Sequence, residues 1–254
     1  MIEMKNVSKW YGNFQVLTDC TTDIKKGEVV VVCGPSGSGK STIAKDLARA
    51  LNVLYIDTGA MFRALGYYAD LNDVEMVEGE SLNKFLGMIQ MEYGISAEKL
   101  ILINGVNLTE KIREHHVSKL ASIISQLPSV RKFLLDFQRK LADDKVCVME
   151  GRDIGTVVFP NSFSKFFITA SVDIRAERRL NQLRENGNST VTLEQIKEDV
   201  RKRDESDMNR AFAPLKKAED SMLLDTSGLA INEIVNILSN EVKFRASHLG
   251  FNLG

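Results

Sequence analysis

The chain has 254 residues, of which 44% are hydrophobic and 26% charged, and its formal net charge is −1. This composition is typical of a globular enzyme with one main core. The near-zero charge gives no general attraction to nucleic acid or to an anionic membrane, and no apolar run approaches the roughly 18 residues of a membrane span. The three scattered cysteines contain no C-x-x-C pair, which favours reduced thiols in a cytoplasmic protein over a zinc site.

The first 27 residues contain two strand-like pieces, at 2–7 and 14–17, on either side of Tyr11-Gly12-Asn13. This pattern predicts a β-hairpin, which we expect to lie on the edge of the main sheet. A monomer is the expected state, although exposed apolar strand edges in such a hairpin could promote dimerisation.

From residue 28 onward, short apolar runs alternate with longer helical patterns. Strands are predicted at 28–33, 53–56, 146–149, 166–170 and 222–224. Helices are predicted at 42–51, 130–141 and 231–238, and the capping-box spacing of Thr192 and Gln195 predicts another helix start near Leu193. The alternation is typical of an α/β fold, and we predict a three-layer α/β/α sandwich around a parallel five-stranded sheet.

A polar stretch at 70–126 interrupts this alternation. Within it, the apolar run 100–103 followed by Asn104-Gly105 predicts a hairpin with a tight turn. We interpret the stretch as an inserted substrate-binding lobe of a core domain over 28–243. A lid region is expected at about 175–212, and a separate tail at 244–254.

The most specific motif matches G-x-x-x-x-G-K-[ST], the phosphate-binding P-loop. Its residues are Gly34, Pro35, Ser36, Gly37, Ser38, Gly39, Lys40 and Ser41. Glycines let backbone N–H groups converge on phosphate oxygens, and the lysine reaches the β- and γ-phosphates. We predict that this loop, with Thr42, binds ATP and that the Ser41 hydroxyl binds Mg²⁺. A glycine-rich turn without a ligand is the alternative, which the flanking strand and helix disfavour. The motif leaves the phosphate acceptor open.

Three further stretches bear on the acceptor: 57–63 (DTGAMFR), 150–159 (EGRDIGTVVF) and 203–215 (RDESDMNRAFAPL). In this order they resemble bacterial cytidylate kinases, within the nucleoside monophosphate kinases, and the resemblance runs from the P-loop to about Lys243. It implies a P-loop NTPase fold and transfer of the γ-phosphoryl of Mg·ATP to CMP or dCMP. Independently, holding two polyanions in line calls for arginines, whose planar forks bind phosphate at two points.

The same resemblance implies individual roles. The residues expected to act in catalysis are Lys40, Arg152, Arg203 and Arg210, the last two on the mobile lid. The CMP phosphate would be clamped by Arg63, Arg152 and Arg210, and the ribose held by Arg203 and Asp207. The cytosine edge would be contacted by Thr58, Ser122, Arg131 and Asp153. The motif arginines are expected at strand ends or in loops, where side chains can converge.

Two acceptor-independent positions complete the predicted site. Glu150 ends the predicted strand 146–149 and is expected near the Mg²⁺ without direct contact, at a position where the family commonly has Asp. Among the arginines at 175, 178 and 179, Arg178 is predicted to reach ATP. A solvated basic helix face is the alternative for this group.

The residues before the P-loop follow a different pattern. Segments 2–12, 16–17 and 25–32 resemble the start of an ABC-transporter ATPase subunit of the polar amino-acid class, in which the aromatic at Tyr11 stacks on adenine. The L-S-G-G-Q signature and the switch histidine are missing. Because the two resemblances meet at the P-loop, we infer a chimera joined there, and Cys33 stands where the kinases usually have Asp. A nucleotide-binding chimera with weak or no turnover, and an ABC-type ATPase, remain as alternative functions.

Overall fold

A computed structural model describes residues 2–11, 14–24, 28–185 and 191–248. The strands are β1 (Ile2–Tyr11), β2 (Phe14–Ile24), β3 (Val29–Cys33), β4 (Leu54–Asp57), β5 (Met91–Tyr93), β6 (Ile101–Ile103), β7 (Val106–Asn107), β8 (Cys147–Gly151), β9 (Ser164–Thr169) and β10 (Met222–Asp225). The helices are α1 (Lys40–Leu51), α2 (Thr58–Leu71), α3 (Glu80–Gly87), α4 (Val117–Ile124), α5 (Pro128–Ala142), α6 (Val172–Glu185), α7 (Leu193–Asn209) and α8 (Ile231–His248). Short helical turns lie at Lys111–Arg113 and Ile154–Val158.

The main sheet has five strands in the order β10-β9-β3-β8-β4. The central strand β3 pairs in parallel with β8 on one side and β9 on the other, with Val30 opposite both Val148 and Ser164. All five residues of β3 are buried, as expected for a strand covered on both faces. The predicted α/β fold with a parallel five-stranded sheet flanked by helices is therefore confirmed. The five strands of this sheet lie within two residues of their predicted bounds, whereas the last helix, predicted at 231–238, continues to His248.

One apolar core fixes the carboxyl ends of these strands. Side chains of β3, β9, α1 and α8 meet in it, including Val32, Leu47, Phe166 and Leu238, none of them measurably exposed. The loop between β3 and α1 therefore begins and ends on buried elements.

The chain divides into two compact units. The first comprises residues 1–55, 142–209 and 213–254, and the second comprises 56–141 and 210–212. The predicted insert at 70–126 lies inside the second unit. Its interior is apolar, with Leu82 and Ile101 fully buried, so the polar composition describes only its surface.

The second unit contains the predicted hairpin. Strands β5, β6 and β7 form an antiparallel sheet, and Asn104 and Gly105 have φ angles of 49° and 77° between β6 and β7. Two successive residues with positive φ are the mark of a primed hairpin turn, which the Asn-Gly pair predicts.

Helix α2 packs against α4 where Gly66 faces the backbone of Leu120: a Cβ at Gly66 would lie 3.0 Å from the carbonyl carbon of Leu120.

The N-terminal hairpin forms, but its expected place was wrong. Strands β1 and β2 pair antiparallel, from Ile2 opposite Ile24 to Tyr11 opposite Phe14. They make a two-stranded sheet of their own, and among the described residues neither pairs with the five-stranded sheet. The strand that follows the hairpin, β3, is the central one with β8 and β9 on its two sides, so the hairpin cannot extend the sheet beside the strand that it precedes. The predicted turn residues Gly12 and Asn13, and residues 25–27, lie outside the described residues.

At the other end, α8 continues to His248. The first five residues of the expected tail, 244–248, are therefore helical, and 249–254 lie outside the described residues. In the described ranges, none of the helices has the length and apolarity needed to pass through a lipid bilayer.

Candidate active site

The phosphate loop connects β3 to α1, and its shape depends on glycine. Gly34 has a φ of 154°, and a Cβ there would lie 2.0 Å from the carbonyl oxygen of Ile168 in β9. No other residue fits this close approach. At the far end, no side chain caps α1 in the part of the chain that the structure describes. The N–H groups of its first turn are therefore available to an anion, supported by the helix dipole.

Lys40 is buried at the start of α1, with only 7% of its surface exposed. Its Nζ donates to the carbonyl oxygen of Pro35 at 3.4 Å and lies 3.8 Å from Glu150 Oε2. Because a buried ammonium is costly without partners, these contacts hold the charge against the loop. A phosphate bound in the loop would meet that charge.

Glu150, near the end of β8, accepts hydrogen bonds from two hydroxyl groups. It is buried, and its Oε1 accepts a hydrogen bond from Ser41 Oγ at 2.7 Å and one from the Tyr55 hydroxyl at 3.4 Å. Oxygen donors of this kind suit Mg²⁺, which also keeps waters and substrate phosphates as ligands. Among the described residues no group of three or more His, Cys, Asp or Glu could hold a metal.

Two arginines of α6 contact the back of the phosphate loop. Arg175 Nη1 donates to the carbonyl oxygen of Ser36 at 3.1 Å, and Arg178 Nη1 donates to that of Ser38 at 3.3 Å. Thr226 adds its hydroxyl to the Ser38 carbonyl at 3.2 Å. The predicted contact of Arg178 with ATP stays a prediction, since these bonds engage the loop's backbone. Their i, i+3 spacing on a helix following the sheet was the only sequence signal for this support.

Helix α7 presents two buried acids to two arginines. Arg175 holds both carboxylate oxygens of Asp204, at 3.0 and 2.6 Å. Arg152, which follows β8, donates from Nε to Asp207 Oδ2 at 2.8 Å. Burial alone would lower the pKa of the Arg152 guanidinium, but the charge and hydrogen bond of Asp207 raise it, so the cation is secured.

The position before the loop carries a thiol. Cys33 ends β3 and is buried, and this burial raises its pKa from 9.0 to about 12 against the opposing hydrogen bonds from the Gly155 and Ile154 backbone. Asp153 lies nearby and is itself buried, and its charge also raises the thiol pKa. The backbone oxygen of Asp153 accepts from the N–H of Val157 at 2.8 Å, so the short helical turn after β8 fixes this residue.

The second unit holds its own set of predicted site residues. Asp57 caps α2 by accepting from the Ala60 N–H at 2.9 Å, and it also accepts from Arg63 Nη2 at 2.9 Å. Arg131 is buried, donates from Nε to the Ser125 carbonyl at 2.6 Å, and lies 5.2 Å from the centroid of the Phe62 ring. Two further predicted site residues lie in this unit: Thr58 is buried at the start of α2, and Ser122 is half-buried on α4.

The expectation that the motif arginines lie at strand ends or in loops was half wrong. Arg152 follows a strand and Arg210 follows α7, but Arg63 lies in α2 and Arg203 in α7. The reason for Arg63 is local. Asp57 caps the helix directly after β4, so the Thr-Gly pair that suggests a turn is already its first turn.

Comparison with known proteins places these residues in a family. A sequence model described as "Cytidylate kinase" matches residues 30–244. The cytidylate kinase of Halalkalibacterium halodurans is 43% identical over 217 residues, which are 85% of this chain and 97% of that protein. The cytidylate kinase of Clostridium tetani is 41% identical, over 85% of this chain and 93% of its own length. A bifunctional pantoate ligase/cytidylate kinase of Prochlorococcus marinus is 41% identical, but the match spans 43% of that longer protein.

The matched region begins within β3, one residue after its start, and contains the phosphate loop, Glu150, the α6 arginines and the acids of α7. The family model thus covers all the site residues described above, and its match begins after the N-terminal hairpin has ended. On that evidence the chain belongs to the cytidylate kinase family.

Proposed function

We propose that the protein transfers the γ-phosphoryl of ATP to CMP, and also to dCMP, giving ADP and the nucleoside diphosphate. The observation that carries this proposal is the phosphate loop. Gly34 lies against the backbone carbonyl of Ile168, the N-terminus of α1 has no side-chain cap, and Lys40 is buried against the loop. Membership of the cytidylate kinase family supplies the acceptor.

The chemistry asks little more than position and charge. An acceptor phosphate is already a nucleophile, so no general base is needed, and the barrier is lowered by aligning two polyanions and balancing their charge. Lys40 lies where it can contact the β- and γ-phosphates. Mg²⁺ fits the oxygen donors at Ser41 and Glu150, and when bound with ATP it would neutralise part of the phosphate charge.

We propose that CMP, the acceptor, is bound by the residues that match the acceptor site of the family. Arg152, Arg63 and Arg210 would hold the CMP phosphate, and Arg203 and Asp207 the ribose. Arg152 is paired with Asp207, so the residues that we assign to the phosphate and to the ribose lie side by side. The cytosine edge would be read by Thr58, Ser122, Arg131 and Asp153, since a carboxylate can accept from the exocyclic amino group.

A coupled assay of ADP release tests the proposal. CMP, dCMP, UMP and AMP are offered in turn with Mg·ATP, beside a control without acceptor. We expect rapid release with CMP and dCMP and only background without acceptor. Release that does not depend on any acceptor would instead support an ABC-type ATPase. Binding of ATP without release would support the alternative of a nucleotide-binding chimera with weak turnover.

The proposal also covers the segment before β3. We propose that about the first 42 residues derive from an ABC-type ATPase and are joined to the kinase at the P-loop, the motif that both families share. The start of the family match at residue 30 supports a change of pattern before the loop. The protein would work in the cytoplasm as a monomer, and the buried free thiols of Cys33 and Cys147 are consistent with that compartment.

A further inference from the structure

Arg175 occupies an unusual position in the first unit. It is 4% exposed, and its guanidinium makes four hydrogen bonds to three different parts of the chain. Nε donates to the Ala170 carbonyl at 3.0 Å, Nη1 to the Ser36 carbonyl at 3.1 Å, and Nη1 and Nη2 to Asp204. The end of β9, the phosphate loop and α7 thus meet at one cation.

The bond to Ser36 bears on phosphate binding through the peptide plane. In a trans peptide, a carbonyl and the N–H of the next residue point in opposite directions. When Arg175 holds the Ser36 carbonyl outward, the Gly37 N–H is directed away from Arg175. Gly37 itself has a φ of 77°, and a Cβ there would lie 3.1 Å from the Arg175 Cβ. Backbone and side chain of Arg175 therefore both define this turn of the loop.

The bond to Asp204 connects the same cation to α7. Asp204 is 8% exposed, and the next residue back is Arg203. One turn further along the same face is Asp207, held by Arg152. Residues assigned to the acceptor therefore flank the acid that Arg175 holds.

A buried ion pair is a poor source of stability, because desolvation offsets most of the attraction. A pair of apolar side chains could join α6 and α7 as well. It could not hold the Ser36 carbonyl, and the single Nζ of a lysine could not reach the Ala170 and Ser36 carbonyls together with both oxygens of Asp204, which Arg175 contacts from three nitrogens. The requirement for arginine here thus comes from the phosphate loop.

We propose that Arg175 is a positioning residue. It orients the Gly37 N–H of the phosphate loop toward bound nucleotide and, through Asp204, ties that loop to the part of α7 that carries Arg203 and Asp207. The inference rests on the proposed kinase activity, and it predicts that donor binding and the α7 residues respond together when the pair is broken.

The test compares Arg175→Lys, Asp204→Asn and their double variant with Lys197→Ala. Lys197 pairs with Asp173 at 2.9 Å and so joins the same two helices, but at the surface and away from the loop. Steady-state kinetics with ATP and CMP are measured well below each variant's Tm, and ADP affinity is measured by titration with a fluorescent ADP analogue.

We expect Arg175→Lys to lower kcat by about 10- to 100-fold, as small misplacements of reacting groups do, and to weaken ADP binding several-fold. The double variant should be no worse than the more damaged single variant, since both changes remove one unit. Lys197→Ala should stay within about twofold in every parameter.

Two results would overturn the inference. One is an Arg175→Lys protein with a lower Tm but wild-type kcat, KM for ATP and ADP affinity, since that is a purely structural role. The other is an equal loss in Lys197→Ala, which would indicate general docking of α6 on α7. If Arg175→Lys does not fold, Asp204→Asn is judged by the same criteria. A wild-type protein that binds ADP without phosphorylating CMP would contradict the proposed function, whereas the ADP affinities would still decide the role of Arg175.

Discussion

The phosphate loop and the N-terminal hairpin lie next to each other in sequence, yet they are held in opposite ways. The loop between β3 and α1 is fixed by residues far along the chain: Ile168, Arg175 and Thr226 all contact its backbone. The strands of the hairpin, β1 and β2, are hydrogen-bonded to each other and form a separate sheet. The loop is therefore a product of the whole kinase fold, and the hairpin is an addition to it.

The same comparison bears on the proposed chimera, in which a segment of different origin would lead into the kinase core. Strand β3 contributes a run of small β-branched residues that pair through their backbone with β8 and β9. Such pairing depends on backbone register and side-chain size more than on identity. Cys33, which stands where the kinases usually have Asp, is buried at the end of the strand. The thiol fills this position without a carboxylate charge, and β3 keeps its backbone pairing with β8 and β9.

The largest effect is expected from breaking the loop's chemistry. Lys40→Ala removes the buried charge that we propose contacts the β- and γ-phosphates. Because phosphoryl transfer depends strongly on such cations, kcat should fall by about a thousandfold or more. The measurement is ADP release with CMP. Arg49→Ala is the matched control, because Arg49 is an exposed cation of the same helix, paired only loosely with Asp46 at 3.2 Å. Activity above about a tenth of wild type in Lys40→Ala would contradict the P-loop assignment.

A comparable change is expected in the chemistry of Cys33, at the base of the loop. Burial raises its pKa from 9.0 to about 12, so the reactive thiolate at pH 8 is about a thousandfold scarcer than in the unfolded chain. Labelling with iodoacetamide, followed by peptide mapping, should therefore be slow at Cys33 in the native protein and fast in urea. Cys147, whose pKa burial also raises to about 12, should behave alike. Rapid labelling of Cys33 in the native protein would show that the reagent reaches this thiol, which would contradict its buried position.

The sheet was predictable because its strands are short and apolar and are separated by longer helical patterns. The hairpin was predictable as a hairpin, but its position was wrong. The alternation of side chains in β1 and β2 carries information about local pairing only. It does not reveal that β3, the strand that follows them, is central and has a partner on each side. That information lies at residues 147–151 and 164–169, far along the chain.

The site was predictable where function demands particular residue types at fixed spacing. Glycines and Lys40 in the loop are of this kind, and so are the arginines of the three kinase motifs. Arg175 was not singled out, because its partners Ser36 and Asp204 are distant in sequence and an arginine on a helix is most often solvated. Only the fold shows that this guanidinium is buried.

A smaller effect concerns the acceptor side of the proposed site. Asp153→Ala should lower the preference for CMP over UMP, because cytosine offers an amino donor where uracil has a carbonyl. One good base contact is worth about 1–3 kcal/mol, or roughly a 5- to 150-fold change in the ratio of kcat/KM values. Asp143→Ala, at an exposed position after α5, is the control. An unchanged ratio in Asp153→Ala would mean that this carboxylate does not read the base.

Removing the hairpin sharpens the comparison directly. Deletion of residues 1–26 takes away β1 and β2 together with the hydrogen bonds that they make to each other, and it leaves all pairings of the five-stranded sheet in place. We expect kcat and both KM values to stay within about threefold of the parent, with any cost appearing as a lower Tm in proportion to the apolar area uncovered. Loss of CMP phosphorylation in a deletion variant that still melts cooperatively would show that the hairpin belongs to the catalytic fold.

The smallest effect is expected from Tyr11→Ala, which separates the two possible roles of the hairpin. If Tyr11 stacked on adenine, as its counterpart does in ABC-type ATPases, losing roughly 1 kcal/mol of aromatic contact would raise the KM for ATP about fivefold and leave that for CMP unchanged. We expect no such selective defect. Residues of the kinase region, such as Arg175, contact the loop, and among the described residues the hairpin strands pair only with each other. Both KM values should lie within about twofold of wild type. A fivefold rise for ATP alone, at an unchanged Tm and reproduced by the deletion of 1–26, would instead make the hairpin part of the nucleotide site.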